Sequence, residues 1–190
     1  GRLDDMAIGI KCLISKDKNE AEGYAKQLAI YNDQRKIVEK KMKDDALYIL
    51  SDCIVEDNYT ISMYDINWHQ GVIGIVASRL KEKYYRPTII FAKDSSGLLK
   101  GSGRSISSFH LKDSLDLISK RNSDLILTFG GHAMAAGLTI KEENFHKFCD
   151  EFETIAKQTL SQDDLNLITE FDKSIPQEYL NNKTIRAINS

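Results

Sequence analysis

Proline and glycine are scarce in this sequence, two and eleven in 190 residues, which excludes a collagen-like, fibrous or low-complexity chain. Cys12, Cys53 and Cys149 are the only cysteines and form no CxxC pair. They support neither a disulfide framework nor a zinc ribbon, and they point to a reducing, cytoplasmic setting. No apolar run approaches the ~18 residues that a membrane-crossing helix needs, and no charged-then-apolar leader opens the chain, so we expect no membrane partner. The four histidines, His69, His110, His132 and His146, make no HExxH or His-x-His spacing, and no Asp and His cluster suggests a complete binuclear site. GxSxG and GxxxxGK[ST] are both missing, which removes the signatures of an α/β-hydrolase and of a nucleotide P-loop. Nor is there an excess of one charge: the formal net charge is −2, unlike that of an indiscriminate nucleic-acid binder.

What is present is a chain with 42% hydrophobic and 28% charged residues, enough apolar material for one or two packed domains. Its charge is unevenly placed. Between His69 and Ser105 seven cations (Arg79, Lys81, Lys83, Arg86, Lys93, Lys100 and Arg104) face two acids, whereas between Lys141 and Asp172 three cations face nine acids. Such asymmetry suits one face that meets an anionic partner, although solvated charged faces also arise without function.

From Glu20 to about Ser51, with Asn19 as a candidate N-cap, apolar residues recur at helical spacing and only Gly23 interrupts, so we expect one long helix. Its middle, YNDQRKIVEKKMKDD, is polar on several faces, which favours a strut between domains over a helix buried along its length. After residue 58 the pattern becomes short and alternating. Strands are expected at Tyr59–Tyr64, Pro87–Ala92, Leu98–Arg104, Leu125–Phe129 and Ala136–Ile140, and helices at Val72–Tyr84, Leu111–Ser119 and Glu142–Leu160. The fold class is therefore α/β, a mixed β-sheet flanked by helices and preceded by a long connecting helix.

Three constellations fall at junctions between these elements. Trp68-His69-Gln70-Gly71-Val72-Ile73-Gly74 joins a strand to a helix; its glycines permit close backbone approach and its helix N–H groups could face an anion, or the glycines simply pack tightly. Lys100-Gly101-Ser102-Gly103-Arg104-Ser105 gathers a hydroxyl, N–H groups and a guanidinium whose fork suits phosphate, or it is a glycine-rich strand with a surface arginine. Phe129-Gly130-Gly131-His132-Ala133-Met134-Ala135-Ala136-Gly137 projects His132 from neighbours too small to shield it, which favours a functional histidine over a core one.

These motifs, in this order behind a long helix and after GRLDDM at residues 1 to 6, resemble the RecJ family of single-strand-specific DNA exonucleases among the Asp-His-His phosphoesterases. The resemblance implies that the chain is a fragment: residues 1–17 the tail of an N-terminal Asp-His-His domain, 18–53 the connecting helix, 54–160 an associated substrate-binding domain, and 161–190 part of an OB-fold region. It implies that Arg2, Ser102, Arg104 and His132 surround the substrate phosphate, with His132 the catalytic contact and His69, Gln70, Gly130 and Gly131 in support. The Asp-His-His motif is not in the sequence, so the two metal ions, Mn²⁺ or Mg²⁺, are expected on the missing domain and none on this fragment, which alone should be inactive. The implied activity of the full-length enzyme is 5′-to-3′ hydrolysis of single-stranded DNA in recombination and repair, with a helicase or single-strand-binding protein as partner. The alternatives are a short-oligonucleotide or cyclic-dinucleotide phosphodiesterase and a non-hydrolytic nucleic-acid-binding module.

Overall fold

The structure is a computed structural model that describes residues 3, 5–51, 57–168, 176–179 and 181–188. Arg2, Cys53 and most of the expected OB-fold region lie outside the described residues or in short pieces of it, such as the helix Asn182–Ile188.

Helix α1 (Ala7–Ile14) leads into α2 (Lys18–Ser51). The cap of α2 is Asp17 rather than Asn19: its Oδ1 accepts the N–H groups of Asn19 at 2.7 Å and Glu20 at 3.0 Å. Asn19 stands two residues too far along, where it is a donor to the cap. The 34 residues of α2 span about 51 Å at a rise of about 1.5 Å each. Among them only Met42, Ala46 and Leu50 are buried, one stripe at four-residue spacing. The polar middle of the helix is thus open to solvent, and its C-terminal part joins the body of the protein.

That body is a five-stranded sheet in the order β1-β2-β3-β5-β4. The strands are β1 (Ile61–Asp65), β2 (Thr88–Lys93), β3 (Leu98–Arg104), β4 (Thr128–Gly131) and β5 (Ala135–Lys141). β1 and β2 are parallel and joined through α3 (Ile73–Tyr84); every other pairing is antiparallel. β2 and β3 turn at Asp94, whose Oδ1 accepts from the Ser96 and Leu98 N–H groups, while Gly97 takes a positive φ of 84°. A positive φ there is open to glycine without steric cost.

Both faces of β2 are buried, Ile89 and Phe91 on one side and Ile90 and Ala92 on the other, which explains its unbroken apolar run. The larger core packs α4 (Leu111–Arg121) and α5 (Phe145–Thr159) on the first side, around Phe91, Phe109, Phe148 and Phe152. The second core gathers α3 and the end of α2 around Trp68, Val76 and Leu80, with Ile90 and Ala92 as its floor. At the start of β1, the Glu153 carboxylate of α5 accepts from the Tyr59 and Thr60 N–H groups at 2.9 Å each, and from the Thr60 hydroxyl. The edge strand is thereby fastened to the opposite layer.

One strand is displaced from its expected place. Leu125 and Ile126 are buried in the larger core as part of the approach to β4, which starts only at Thr128. Their apolar run reads like a strand because burial, not pairing, requires it; the ladder with β5 instead extends through Gly130 and Gly131.

Candidate phosphate-binding groove

The covering of the sheet is unequal. The end of α2 shares a core with β1, and α3 lies over β2 and reaches β3, but the outward residues of β5 and β4, with Lys100, Ser102 and Arg104 of β3, form a shallow floor. Register places Ser102, Gly137 and Gly130 in one row across this floor, and Lys100, Thr139 and Thr128 in the next. Opposed residues in an antiparallel ladder share a face, so Lys100, Ser102 and Arg104 all stand on the floor side of β3. Gly101 and Gly103 face the other way. A Cβ on Gly101 would come within 2.6 Å of Leu138 and Phe91, and one on Gly103 within 2.6 Å of Leu111. Their purpose is close packing of the core, and their N–H groups lie on a strand paired on both sides. The expectation that the GSGR backbone itself meets an anion is therefore corrected: side chains, not amides, are what this strand offers.

α3 supplies the wall. Gln70, Gly71, Ile73, Gly74, Ile75, Ser78 and Arg79 line an open groove of about 420 Å³ together with Ser102 and Arg104. Gly74 is the point of contact, where a Cβ would lie 2.9 Å from Ser102 Oγ and 3.1 Å from Arg104 Nη2. The absence of that side chain lets helix and strand approach and keeps hydroxyl and guanidinium together. Arg104 Nη1 donates to the Gly103 carbonyl at 2.7 Å and reaches Ser102 Oγ at 3.3 Å, so its planar fork is held beside the hydroxyl.

His132 belongs to the hairpin between β4 and β5 and is exposed. Its N–H donates to Ala135 O at 2.8 Å, Ala135 is opposite Arg104, and the Ser105 N–H donates to Met134 O at 3.0 Å. The turn is thus tied to the Arg104 end of the row, although His132 is not among the groove's lining residues. Gly131 makes the turn possible with φ 144°, where a Cβ would meet Ala135 O at 2.4 Å. Gly130, exposed on the floor, would accept a Cβ without contact.

The other supporting residues divide. Gln70 lines the groove, with Nε2 3.4 Å from the Lys93 carbonyl. His69 does not; its Nδ1 accepts the Gly71 N–H at 3.0 Å and so shapes the turn into α3. That bond also removes Gly71 from the amides expected to face an anion.

The basic stretch is likewise sorted by the fold. Arg86 donates to the carbonyls of Asn58, Tyr84, Tyr85 and Leu165, and its burial lowers its pKa. Lys93 is bound to Glu142, whose hydrogen bond raises the lysine's pKa. Lys83 lies over the Tyr84 ring. On the groove side stand Arg79, Lys100 and Arg104, with Lys100 Nζ 3.1 Å from Thr139 Oγ1 and 3.7 Å from Asp94 Oδ2. Arg79 was visible in the sequence only as a member of a charge run, whereas Lys100 also opened the glycine-rich motif. Their signal was positional: Lys100 alternates with Ser102 and Arg104, and Arg79 falls on the helical stripe of Gly74, Ile75 and Ser78.

Serine and arginine side by side on the floor of an open groove, on a half-covered mixed sheet with a glycine-histidine turn tied to the Arg104 end, form a surface suited to an anion. The chain belongs to the DHHA1 domain family, whose model matches residues 56–158. It is homologous to single-stranded-DNA-specific exonucleases named RecJ. Identity is 42% to the Haemophilus influenzae protein, over 100% of this chain and 34% of that one. It is also 42% to the Escherichia coli protein, over 84% of this chain and 28% of that one. The chain therefore spans about a third of the length of the curated relatives it matches. The crystal structure of RecJ with Mg²⁺ from Thermus thermophilus is similar with a TM-score of 0.71 and 30% identity, over 83% of this chain and 23% of that one. A structure of exonuclease RecJ bound to manganese gives 0.68 and 29%, over 86% of this chain and 41% of that one.

Proposed function

We propose that this chain is the substrate-gripping part of a single-stranded-DNA-specific 5′-to-3′ exonuclease of DNA recombination and repair. The observation that carries the reading is the Gly74 contact, which gathers the Ser102 hydroxyl and the Arg104 guanidinium on an open sheet face. Arg104 offers a fork of N–H donors and Ser102 a rotatable hydroxyl to the non-bridging oxygens of one phosphate. His132, at the Arg104 end, donates from its ring to an oxygen of the scissile phosphate as charge develops there. Such contacts hold the backbone without reading bases, as an exonuclease that acts on any sequence requires. Arg2 joins this set in our reading, from outside the described residues.

The RecJ structures hold Mg²⁺ or Mn²⁺. Among the described residues no three His, Cys, Asp or Glu side chains gather into a cation site. We assign the two metals to another part of the enzyme, and we expect this chain alone to leave DNA uncut. The relatives' specificity supports single-stranded DNA as the partner. A helicase or single-strand-binding protein beside it and a cytoplasmic location complete the reading; no described helix is long and apolar enough to cross a membrane.

The test has two arms. The 190-residue chain, incubated with 5′-phosphorylated single-stranded DNA and Mn²⁺ or Mg²⁺, should leave it intact; chelator-sensitive shortening would overturn the division of labour. In the full-length enzyme, His132→Ala should slow single turnover by ~100- to 1,000-fold, as for loss of one transition-state donor, and Arg104→Lys should not restore activity because it keeps charge but not the fork. Near-normal rates in both, at unchanged melting temperature, would reduce the groove to a structural feature.

A further inference from the structure

Helix α3 carries two stripes. Ile73, Val76, Ala77 and Leu80 are buried and fasten it to the sheet and to α2. The second stripe, Gly74, Ile75, Ser78 and Arg79, lines the groove, continued by Gly71 in the turn before the helix. Such a run of i, i+4 neighbours ordinarily marks a core face, yet here it presents a glycine, a serine and an arginine. Arg79 lies five residues beyond Gly74, about 8 Å further along the axis at ~1.5 Å per residue. It therefore stands away from the point where the helix touches Ser102 and Arg104. The groove's lining holds both arginines and no carboxylate.

We propose that Arg79 is a second phosphate-binding guanidinium, which takes a backbone phosphate of the single strand neighbouring the one held by Ser102 and Arg104. The proposal rests on the reading of the groove given above and adds a subsite to it. Arg79 is held ready by ion pairs at its rim. Its Nε lies 3.6 Å from Glu39 Oε1 of the long helix, and Nη1 lies 3.3 Å from Glu82 Oε2. Glu39 is already bound by Arg35, so its hold on Arg79 is shared with a second guanidinium. The Glu82 pair is solvent-facing, with both side chains more than half exposed, and such pairs contribute little that a phosphate would have to displace. Nη2 has no hydrogen-bond partner among the described residues. A phosphate oxygen there would gain a charge-assisted bond. The plainer role for Arg79 is a strap between α2 and α3, and the two roles make different predictions.

The experiment titrates labelled 5′-phosphorylated oligothymidylate with the full 190-residue chain across a salt series, for wild type and for Arg79→Gln, Glu39→Gln and Arg104→Gln. Each neutralised phosphate contributes about −0.7 to the log–log salt slope for single strands. Arg79→Gln should therefore lose about 0.7 of slope at an unchanged melting temperature, while Glu39→Gln, which breaks the strap but keeps the guanidinium, should retain the wild-type slope. A wild-type slope in Arg79→Gln, or an equal loss in Glu39→Gln, would overturn the subsite. Loss confined to Arg104→Gln would overturn it while the groove reading stands. No salt-dependent binding by wild type, or no effect of Arg104→Gln, would overturn the groove reading and Arg79 with it. Should Arg79→Gln not fold, Arg79→Lys decides instead: several-fold weaker binding supports the fork on phosphate, and wild-type affinity overturns it.

Discussion

Gly74 of α3 and Ser102 of β3 meet so closely that a Cβ at position 74 would lie 2.9 Å from the serine hydroxyl. The contact couples the wall of the groove to its floor, and it makes a backbone position as important to the site as a side chain. Alanine at a helical position is favoured over glycine by about 1 kcal/mol, whereas the crowded atoms here are the mobile ends of Ser102 and Arg104.

Gly74→Ala should accordingly leave the protein about as stable as wild type, because the side chains can turn aside. It should weaken binding of single-stranded DNA about tenfold, equivalent to about 1.4 kcal/mol, because turning aside separates hydroxyl from guanidinium. Thermal melting and an oligonucleotide titration on the same preparation check this. Wild-type affinity in Gly74→Ala would show that the contact does not shape the site.

Glu153 is expected to matter for stability and not for binding. Its carboxylate accepts two backbone N–H groups and a hydroxyl at the start of β1, and hydrogen bonds to charged groups contribute about 1.5–3 kcal/mol. Glu153→Ala should lower the unfolding free energy by about that amount in a urea titration, and Glu153→Gln, which keeps one acceptor oxygen, should lose less. The groove lies on the other side of the sheet, so the salt slope of DNA binding should not change.

Glu142 gives the protein an acid-side dependence with a definite sign. The Lys93 ammonium, and after it the Tyr64 hydroxyl, hold the Glu142 carboxyl below its ordinary range by hydrogen bonds. A carboxyl with a depressed folded pKa stabilises the fold above its unfolded value and ceases to do so as pH falls through the folded one. The contribution should thus be complete at neutral pH and disappear as pH drops below the ordinary carboxylate value of about 4.3. Lys93 complements it at the other extreme: its raised pKa means a contribution that is lost only as pH climbs past the ordinary lysine value. Melting temperatures from neutral to acid pH should fall less steeply in Glu142→Gln than in wild type, and parallel curves would remove Glu142 from the account.

Most of the architecture was written in local pattern. The long helix, α3, β2, β3 and α5 follow from periodicity of 3.6 or 2 and from the turn residues between them, because each of these segments must bury one face whatever its neighbours are. The motifs were legible too, since glycine at 101, 103 and 131 records places where no Cβ fits, and glycine at 74 one where a Cβ would push two side chains aside. Errors arose where two residues could play one part. Asp17 and Asn19 are both capable caps, and only the path of the chain gives Asp17 the N–H groups of residues 19 and 20. Leu125 and Ile126 are apolar enough for a strand, and only the register of β5 against β4 makes them plugs of the core.

What the sequence determined by itself was the set of candidate groups: small residues, Ser102, Arg104 and His132, in an order shared with a known family. Which groups act together was decided by tertiary structure. The glycines of the GSGR stretch turn inward because β3 is a central strand with both edges paired, so its amides are not available and its alternate side chains are. Six of the seven cations of one charge run are divided among a carbonyl clamp at Arg86, an ion pair at Lys93, an aromatic ring under Lys83 and the groove side at Arg79, Lys100 and Arg104. A linear sequence holds the count of such charges; the side of the sheet on which each one emerges depends on strand order and helix rotation, which are set only when distant segments pack.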